Sequence, residues 1–173
     1  FAARGYAGGV PMGGDLSAMP DGAESPVFAI WALKDPGTKA HPGTPLQRVQ
    51  IVKGWLDRGL LGRHELMERV YDVAGGDNGA SVDTRTCETS GPGAESLCGV
   101  WRDPDFDPRE RAFYYVRVLE NPTCRWSQYL CNEGRVDCSD PDSVTSGYEG
   151  CCSEAHRPTV RERAWTSPIW YSP

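Results

Sequence analysis

The feature that most constrains this chain is its seven cysteines, Cys87, Cys98, Cys124, Cys131, Cys138, Cys151 and Cys152, none of which forms a C-x-x-C pair. Zinc knuckles and thioredoxin-like sites use that close spacing to aim two sulfurs at one centre. Clustered but irregularly spaced cysteines instead favour disulfides, and with them an oxidising compartment, the periplasm or the cell exterior. Cys87 and Cys98 are expected to pair and staple the loop between them, which contributes roughly 2 to 3 kcal/mol by the chain-entropy argument. Pairing among Cys124, Cys131, Cys138, Cys151 and Cys152 stays open. Because the count is odd, one thiol is free or has its mate outside this sequence.

A chain of 173 residues supports one ordinary domain, and its 20 glycines and 14 prolines argue against a long helical bundle. The net charge of -6 offers no basic surface for a phosphate backbone, so nucleic acid is not an expected partner. The longest apolar run, Val27 to Leu33, is far short of a bilayer span, and no charged-then-apolar signal segment opens the chain. A start at Phe1 agrees with a processed or partial product.

Residues 1 to 25 are rich in glycine and too poor in apolar side chains to form a core, so they are expected to lie on another body. The β-rich module is expected over 26 to 173. Val27-Phe-Ala-Ile-Trp-Ala-Leu33 reads as a strand buried on both faces. Gln47 to Trp55 alternates, with Val49, Ile51, Lys53 and Trp55 on one face, and Glu68 to Val73 alternates similarly, which predicts a hairpin across Asp57 to Arg63. A helical turn over His64 to Arg69 is the alternative for part of it. Arg111 to Leu119 is the clearest strand, dense in aromatic and β-branched residues. Insertions are expected at 74–110 and 121–158, the second with a short helix carrying Trp126, Tyr129 and Leu130 on one face, and Ala164 to Tyr171 supplies a final strand at whose Pro168 an edge or bulge is expected.

Motifs for nucleophilic or phosphate chemistry are absent: there is no G-x-S-x-G and no G-x-x-x-x-G-K-[ST]. His64-Glu65-Leu66-Met67-Glu68 has Glu68 where the second imidazole of a zinc motif belongs, and reads as chance. Asp103-Pro-Asp-Phe-Asp107 places Asp103, Asp105 and Asp107 at alternate positions, a spacing that can wrap Ca²⁺, against the simpler reading of a pair of Asp-Pro turns leading into the Arg111 strand. Asp15 on its glycine-rich turn, with Arg4 nearby in sequence, is a pocket candidate against the simpler reading of a solvated turn acid. Trp55, Trp165 and Trp170 invite a stacking platform for sugars or other rings, against the commoner role of core packing.

Six strings, Arg4 to Leu16, Ala32 to Gly37, Pro45 to Trp55, Val70 to Ala74, Ala112 to Glu120 and Arg163 to Tyr171, together resemble the C-terminal part of a bacterial family of unknown function, DUF3604. The resemblance spans nearly the whole chain. Full-length members are similar to PHP-type metal-dependent phosphoesterases, exported proteins with a distorted β/α barrel whose histidine and acidic ligands hold divalent metal ions. It implies that this chain is a mainly β, β-sandwich-like module with long disulfide-stapled loops, the C-terminal part of a larger α/β protein. Its partners would be an upstream barrel segment or separate chain carrying the metal ligands, and a small-molecule substrate. The function implied is that of an exported hydrolase of phosphate esters or related esters, in which this part is structural with a contribution to the pocket rim. The alternative is a stand-alone disulfide-stapled extracellular binding or assembly module, Ca²⁺-dependent through the Asp103 to Asp107 run.

Overall fold

Strand alternation in the long segment after Pro45 organises the molecule, because it gives one strand enough length to pair on both sides. The computed structural model describes residues 2–16, 19–58 and 64–173. In chain order these form α1 (Ala2–Gly8), β1 (Val27–Leu33), β2 (Leu46–Arg58), β3 (His64–Gly75), β4 (Ser81–Val82), β5 (Thr89–Ser90), β6 (Ser96–Arg102), β7 (Ala112–Glu120), β8 (Thr123–Cys124), α2 (Trp126–Glu133), β9 (Thr159–Val160), β10 (Arg163–Trp165) and β11 (Ile169–Tyr171). All named strand pairs are antiparallel, and the main sheet runs β10-β7-β2-β3 with β11 also on β7.

The β2–β3 hairpin is longer than its alternating stretches predict, pairing Arg48 with Gly75 through to Arg58 with His64, with a register shift at Val49/Gln50. The helical alternative over His64 to Arg69 is therefore replaced by strand. The expected turn falls partly on 59–63, outside the described residues. A second layer, the β1–β6 ribbon, crosses one face of the sheet, and Phe28 and Ile30 meet Val49, Ile51, Ala112, Tyr114 and Tyr171 in the core. This is the mainly β, two-layer arrangement expected, with core positions recurring every second residue.

The expectation that β1 is buried on both faces is corrected. Its burial alternates, Phe28 and Ile30 inward, while Val27, Trp31 and Leu33 are exposed. The reason is that the ribbon has a layer beneath it and none above. β6, inside the 74–110 insertion, is a strand that the glycine and cysteine content of that insertion conceals. The tail forms two short strands, β10 and β11, because Pro168 cannot extend the ladder; its carbonyl instead accepts a hydrogen bond from the Gly13 amide at 3.1 Å. The same glycine-rich segment continues along β11, with Leu16 N donating to Trp170 O at 2.7 Å and Trp170 N to Gly14 O at 3.0 Å. Leu16 packs on the core, while Tyr6 of α1 is 75% exposed.

The disulfide expectation is also corrected. Cys87 pairs with Cys124, while Cys131 pairs with Cys151 and Cys138 with Cys152. Cys98 is free and exposed, because it lies on β6 opposite Trp31 with its side chain on the outward face of the ribbon. Cys87, in contrast, sits in a turn with φ 60° that aims it at β8. The three bridges tie α2 and the loops after it into one lobe, and Gln128 and Asn132 of α2 donate to Thr84 O at 3.1 and 2.9 Å. Trp126, Tyr129 and Leu130 do share a face of α2, and that face is exposed.

Non-reducing peptide mapping should therefore return Cys87–Cys124, Cys131–Cys151 and Cys138–Cys152, with one titratable thiol per unfolded chain, at Cys98. Recovery of a Cys87–Cys98 peptide would overturn this topology.

Candidate functional site

Lysine is the wrong residue for an inward-facing strand position unless its charge is matched, and Lys53 occupies one. It stands between Arg69 and Tyr114 on the inner face of the sheet and is 2% exposed. Its ammonium lies 2.7 Å from Asp103 Oδ2, with Asp103 wholly buried, and donates to Asp105 O at 2.7 Å. The Trp55 ring approaches the same ammonium, with its centroid 5.2 Å away. Asp103 in turn accepts the Tyr114 hydroxyl at 2.7 Å and the Asp105 amide at 3.0 Å. Each buried charge thus has a counter-charge and hydrogen bonds, the condition under which such a pair survives its desolvation cost. Burial, then the bond to Asp103, pushes the Tyr114 phenol upward, so it stays a donor.

A second tier lies nearer solvent. Asp105 Oδ2 accepts from Tyr71 Oη at 2.7 Å and Arg69 Nη1 at 2.6 Å. The Tyr71 bond, with Arg69 alongside, holds the Asp105 carboxyl below its ordinary value, while burial and the bond to Asp105 push Tyr71 up to about 12. Asp107 is bound by Arg109, whose Nε and Nη2 reach its two oxygens at 2.9 and 2.6 Å. Glu110 is raised by burial and by the negative charges of Asp107 and Asp57.

The three carboxylates of the Asp103 to Asp107 run are thus placed apart, each on its own cation: Lys53, Arg69 and Arg109. The structure does not bring them together as ligands of one ion. Among the described residues no group of three or more His, Cys, Asp and Glu is arranged to hold a metal. Of the histidines, His156 Nε2 is bonded to Gln128 Oε1 at 2.8 Å and His41 lies in the loop before β2, while the His64 side chain is outside the described residues. Among the described residues these donors are not grouped as the metal centre that the resemblance implies for the larger protein.

Asp15 is exposed beside β11, and the Arg4 side chain lies outside the described residues, so no pairing of the two is described. A larger concavity than the Asp15 turn lies elsewhere. It is a cleft of about 1050 Å³ between the glycine-rich segment and the core, walled by Leu16, Phe28, Ile30, Ile51, Tyr114 and Tyr171 among others. Its titratable wall residues are tyrosines, and two of them are engaged, Tyr114 with Asp103 and Tyr171 with the Pro108 carbonyl at 2.9 Å. It is an apolar depression lined mostly by aliphatic and aromatic side chains. Trp55 serves as a cover for Lys53, whereas Trp165 and Trp170 are 59% and 47% exposed. The residues that the site turns on, Lys53, Tyr71 and Tyr114, carried one usable sequence signal: a lysine in line with Val49, Ile51 and Trp55 on the face of an otherwise apolar strand.

The family profile described as "Protein of unknown function (DUF3604)" matches residues 1–173, so the chain belongs to that family. Neither the curated proteins nor the solved structures yield a match to it.

Removing one partner of the buried pair leaves the other charge unmatched, so Asp103→Ala should cost about 3 to 5 kcal/mol in urea unfolding. The double variant Lys53→Met/Asp103→Leu should recover a large part of that loss; equal losses in the single and double variants would show that the pair is not the cause. A second expectation concerns pH. Tyr71 is raised from 10.0 to about 12, so its protonated form is favoured on folding; the stabilisation is full below pH 10 and disappears as the pH climbs to about 12. Tyr71→Phe should flatten that loss in alkaline melting curves.

Proposed function

We propose, with membership of DUF3604 as the premise, that this chain is a non-catalytic β-rich portion of an exported PHP-like metal-dependent hydrolase of phosphate esters or related esters. Metal ions, and the hydroxide they would activate, belong in this reading to an upstream barrel; this chain supplies a rigid flank and part of the pocket rim. One observation carries the reading. The carboxylates of the Asp103 to Asp107 run are engaged in ion pairs, while the apolar surfaces that a neighbour could cover are open: the cleft under the glycine-rich segment, and the outer face of β1 with Val27, Trp31 and Leu33 at 50%, 58% and 67% exposure. Three disulfides agree with a periplasmic or extracellular location, and no helix of the described residues is long and apolar enough to cross a membrane.

A second reading, an extracellular binding module that stands alone, draws on a different observation. The two layers already share one core, and the disulfide lobe is tied to the turn between β4 and β5 by Cys87–Cys124.

The readings separate in a hydrolysis screen with phosphate mono- and diesters, run on the chain alone and on a polypeptide carrying both it and the barrel. The expected result is no turnover by the chain, and chelator-sensitive turnover by the longer protein. Turnover by residues 1–173 alone, or a longer protein that binds no metal, would sink the hydrolase reading.

A further inference from the structure

The face of the main sheet turned away from the β1–β6 ribbon is paved with aromatic rings. Gly54 lies opposite Phe113, and the Phe113 ring occupies the space a side chain there would need: a Cβ on Gly54 would run into Cζ of the ring and stand 2.5 Å from Cε1 and 2.9 Å from Cε2. Phe113 therefore reaches across the neighbouring strand rather than projecting from the sheet. Tyr115, two residues along, has its ring within 8° of parallel to Phe113, with centroids 6.4 Å apart. Fully buried Val52 is opposite Tyr115 on the same face. Trp170 adjoins Phe113 at 5.4 Å, and Trp165 lies opposite Arg117, so half-exposed indoles flank the two rings. The four-residue offset from Phe113 to Arg117 makes this platform about 13 Å long.

Beside it runs a row of planar polar groups. Arg117 Nε donates to Gln50 Oε1 at 2.8 Å, and Gln50 Nε2 donates to Asp72 Oδ1 at 2.7 Å. Cross-strand pairing puts Trp165, Arg117, Gln50 and Asp72 in one line across four strands. Gln50 is 8% exposed and holds the guanidinium by its Nε edge; the terminal nitrogens of Arg117 have no hydrogen-bond partner among the described residues. The adjacent row brings Arg163 and Arg48 to either side of Leu119. Arg48 Nη1 is paired with Asp72 Oδ2 at 3.1 Å, which leaves Arg117 and Arg163 as the cations of this end beyond that pair. Glu68 stands in the row of Gly54 and Phe113 at the other end of the platform, on a chain of net charge -6.

From this geometry we propose that the outer face of the sheet is a binding site for an acidic oligosaccharide. The C–H faces of successive sugar rings would lie on the aromatic platform, and an anionic substituent would meet Arg117. Flat rings in series with planar donors beside them match the two-sided character of a pyranose, apolar on its faces and polar at its edges. A protein partner would instead call for a pocket that receives an anchor side chain, and this face offers rings lying over the sheet. The local positive charge selects the anionic sugar over the neutral one.

Isothermal titration of the whole chain with oligogalacturonate at low salt tests the assignment, with a neutral cello-oligosaccharide as comparator. Saturable binding is expected, weakened about ten-fold or more by Trp165→Ala or Trp170→Ala as a stacking partner is lost. Arg117→Met should lower affinity for the acidic ligand towards that for the neutral one, and Trp126→Ala, on exposed α2, should change nothing. Thermal melts confirm that each variant folds; if Trp170→Ala does not, Trp165→Ala on the edge strand bears the test. Absence of binding by the folded chain, tryptophan variants that bind like the parent, or equal affinity for the neutral sugar would each overturn the proposal. So would sedimentation showing self-association that Trp165→Ala abolishes, which would give the face to a second copy of the chain. The readout is binding without turnover, so the outcome is decided independently of any hydrolase activity.

Discussion

The ion pair between Lys53 and Asp103 ties together parts of the chain that nothing else holds in the same way. Asp103 follows directly on β6, and the segment it opens carries the chain from the ribbon layer to β7 in the sheet layer. Its amide donates to Pro26 O at 3.3 Å, which fixes the entry to β1, and its carboxylate meets Lys53 of β2 and Tyr114 of β7. One buried carboxylate therefore sets the ribbon against the two central strands. A hydrophobic contact could supply comparable stability without that specificity, because a one-residue slip of β2 would turn Lys53 to the outer face and leave Asp103 buried and unmatched. Phe106 reinforces the crossing by packing edge-on against Tyr171 at 4.9 Å, which brings β11 into the same arrangement.

Beyond the sheet, a different constraint takes over. The residues after β7 contribute few buried apolar side chains, Cys124 and Cys131 among them, so covalent bridges substitute for a core of their own. The 74–110 insertion is joined to the end of β7 by polar contacts: Asn78 Nδ2 donates to Asn121 Oδ1 at 2.9 Å, and both asparagines donate to Pro92 O, at 2.7 and 3.0 Å. Gly93 approaches this cluster so closely that a Cβ there would lie 2.6 Å from Asn121 Nδ2. Reducing conditions would on this account loosen the lobe before the sheet, whose core contains no sulfur bridge.

What sequence made legible follows from how local each signal is. Period-two alternation announced β2, β3 and β7 because each strand has one face on the core, and the Trp126 to Leu130 spacing announced α2. The same logic failed at β1, where a continuous apolar run implied two buried faces; composition cannot say whether a second layer exists above a strand. It failed at the cysteines because loop length alone pointed Cys87 to its next neighbour, whereas the strand register of β6 turns Cys98 outward. The alternate aspartates were visible as a cluster, but their partners Lys53, Arg69 and Tyr71 lie more than thirty residues upstream, so the divergence of the carboxylates was not.

The two faces of the central sheet are consequently different kinds of surface made from the same strands. On the inner face charge is matched at short range, the Lys53–Asp103 pair sealed and the Arg69–Asp105 pair nearer solvent, which stabilises a geometry. On the outer face the polar groups form a chain with an open end: Asp72 orients Gln50, Gln50 orients Arg117, and the guanidinium ends toward solvent beside Trp165. A network that is closed on itself reads as architecture, whereas one held at its middle by buried Gln50, with Asp72 also on Arg48, and open at Arg117 reads as recognition, because its donors are held in place before any ligand arrives. Gly54 completes the distinction, since the missing side chain there is what lets Phe113 lie across the strand and gives the open face its floor.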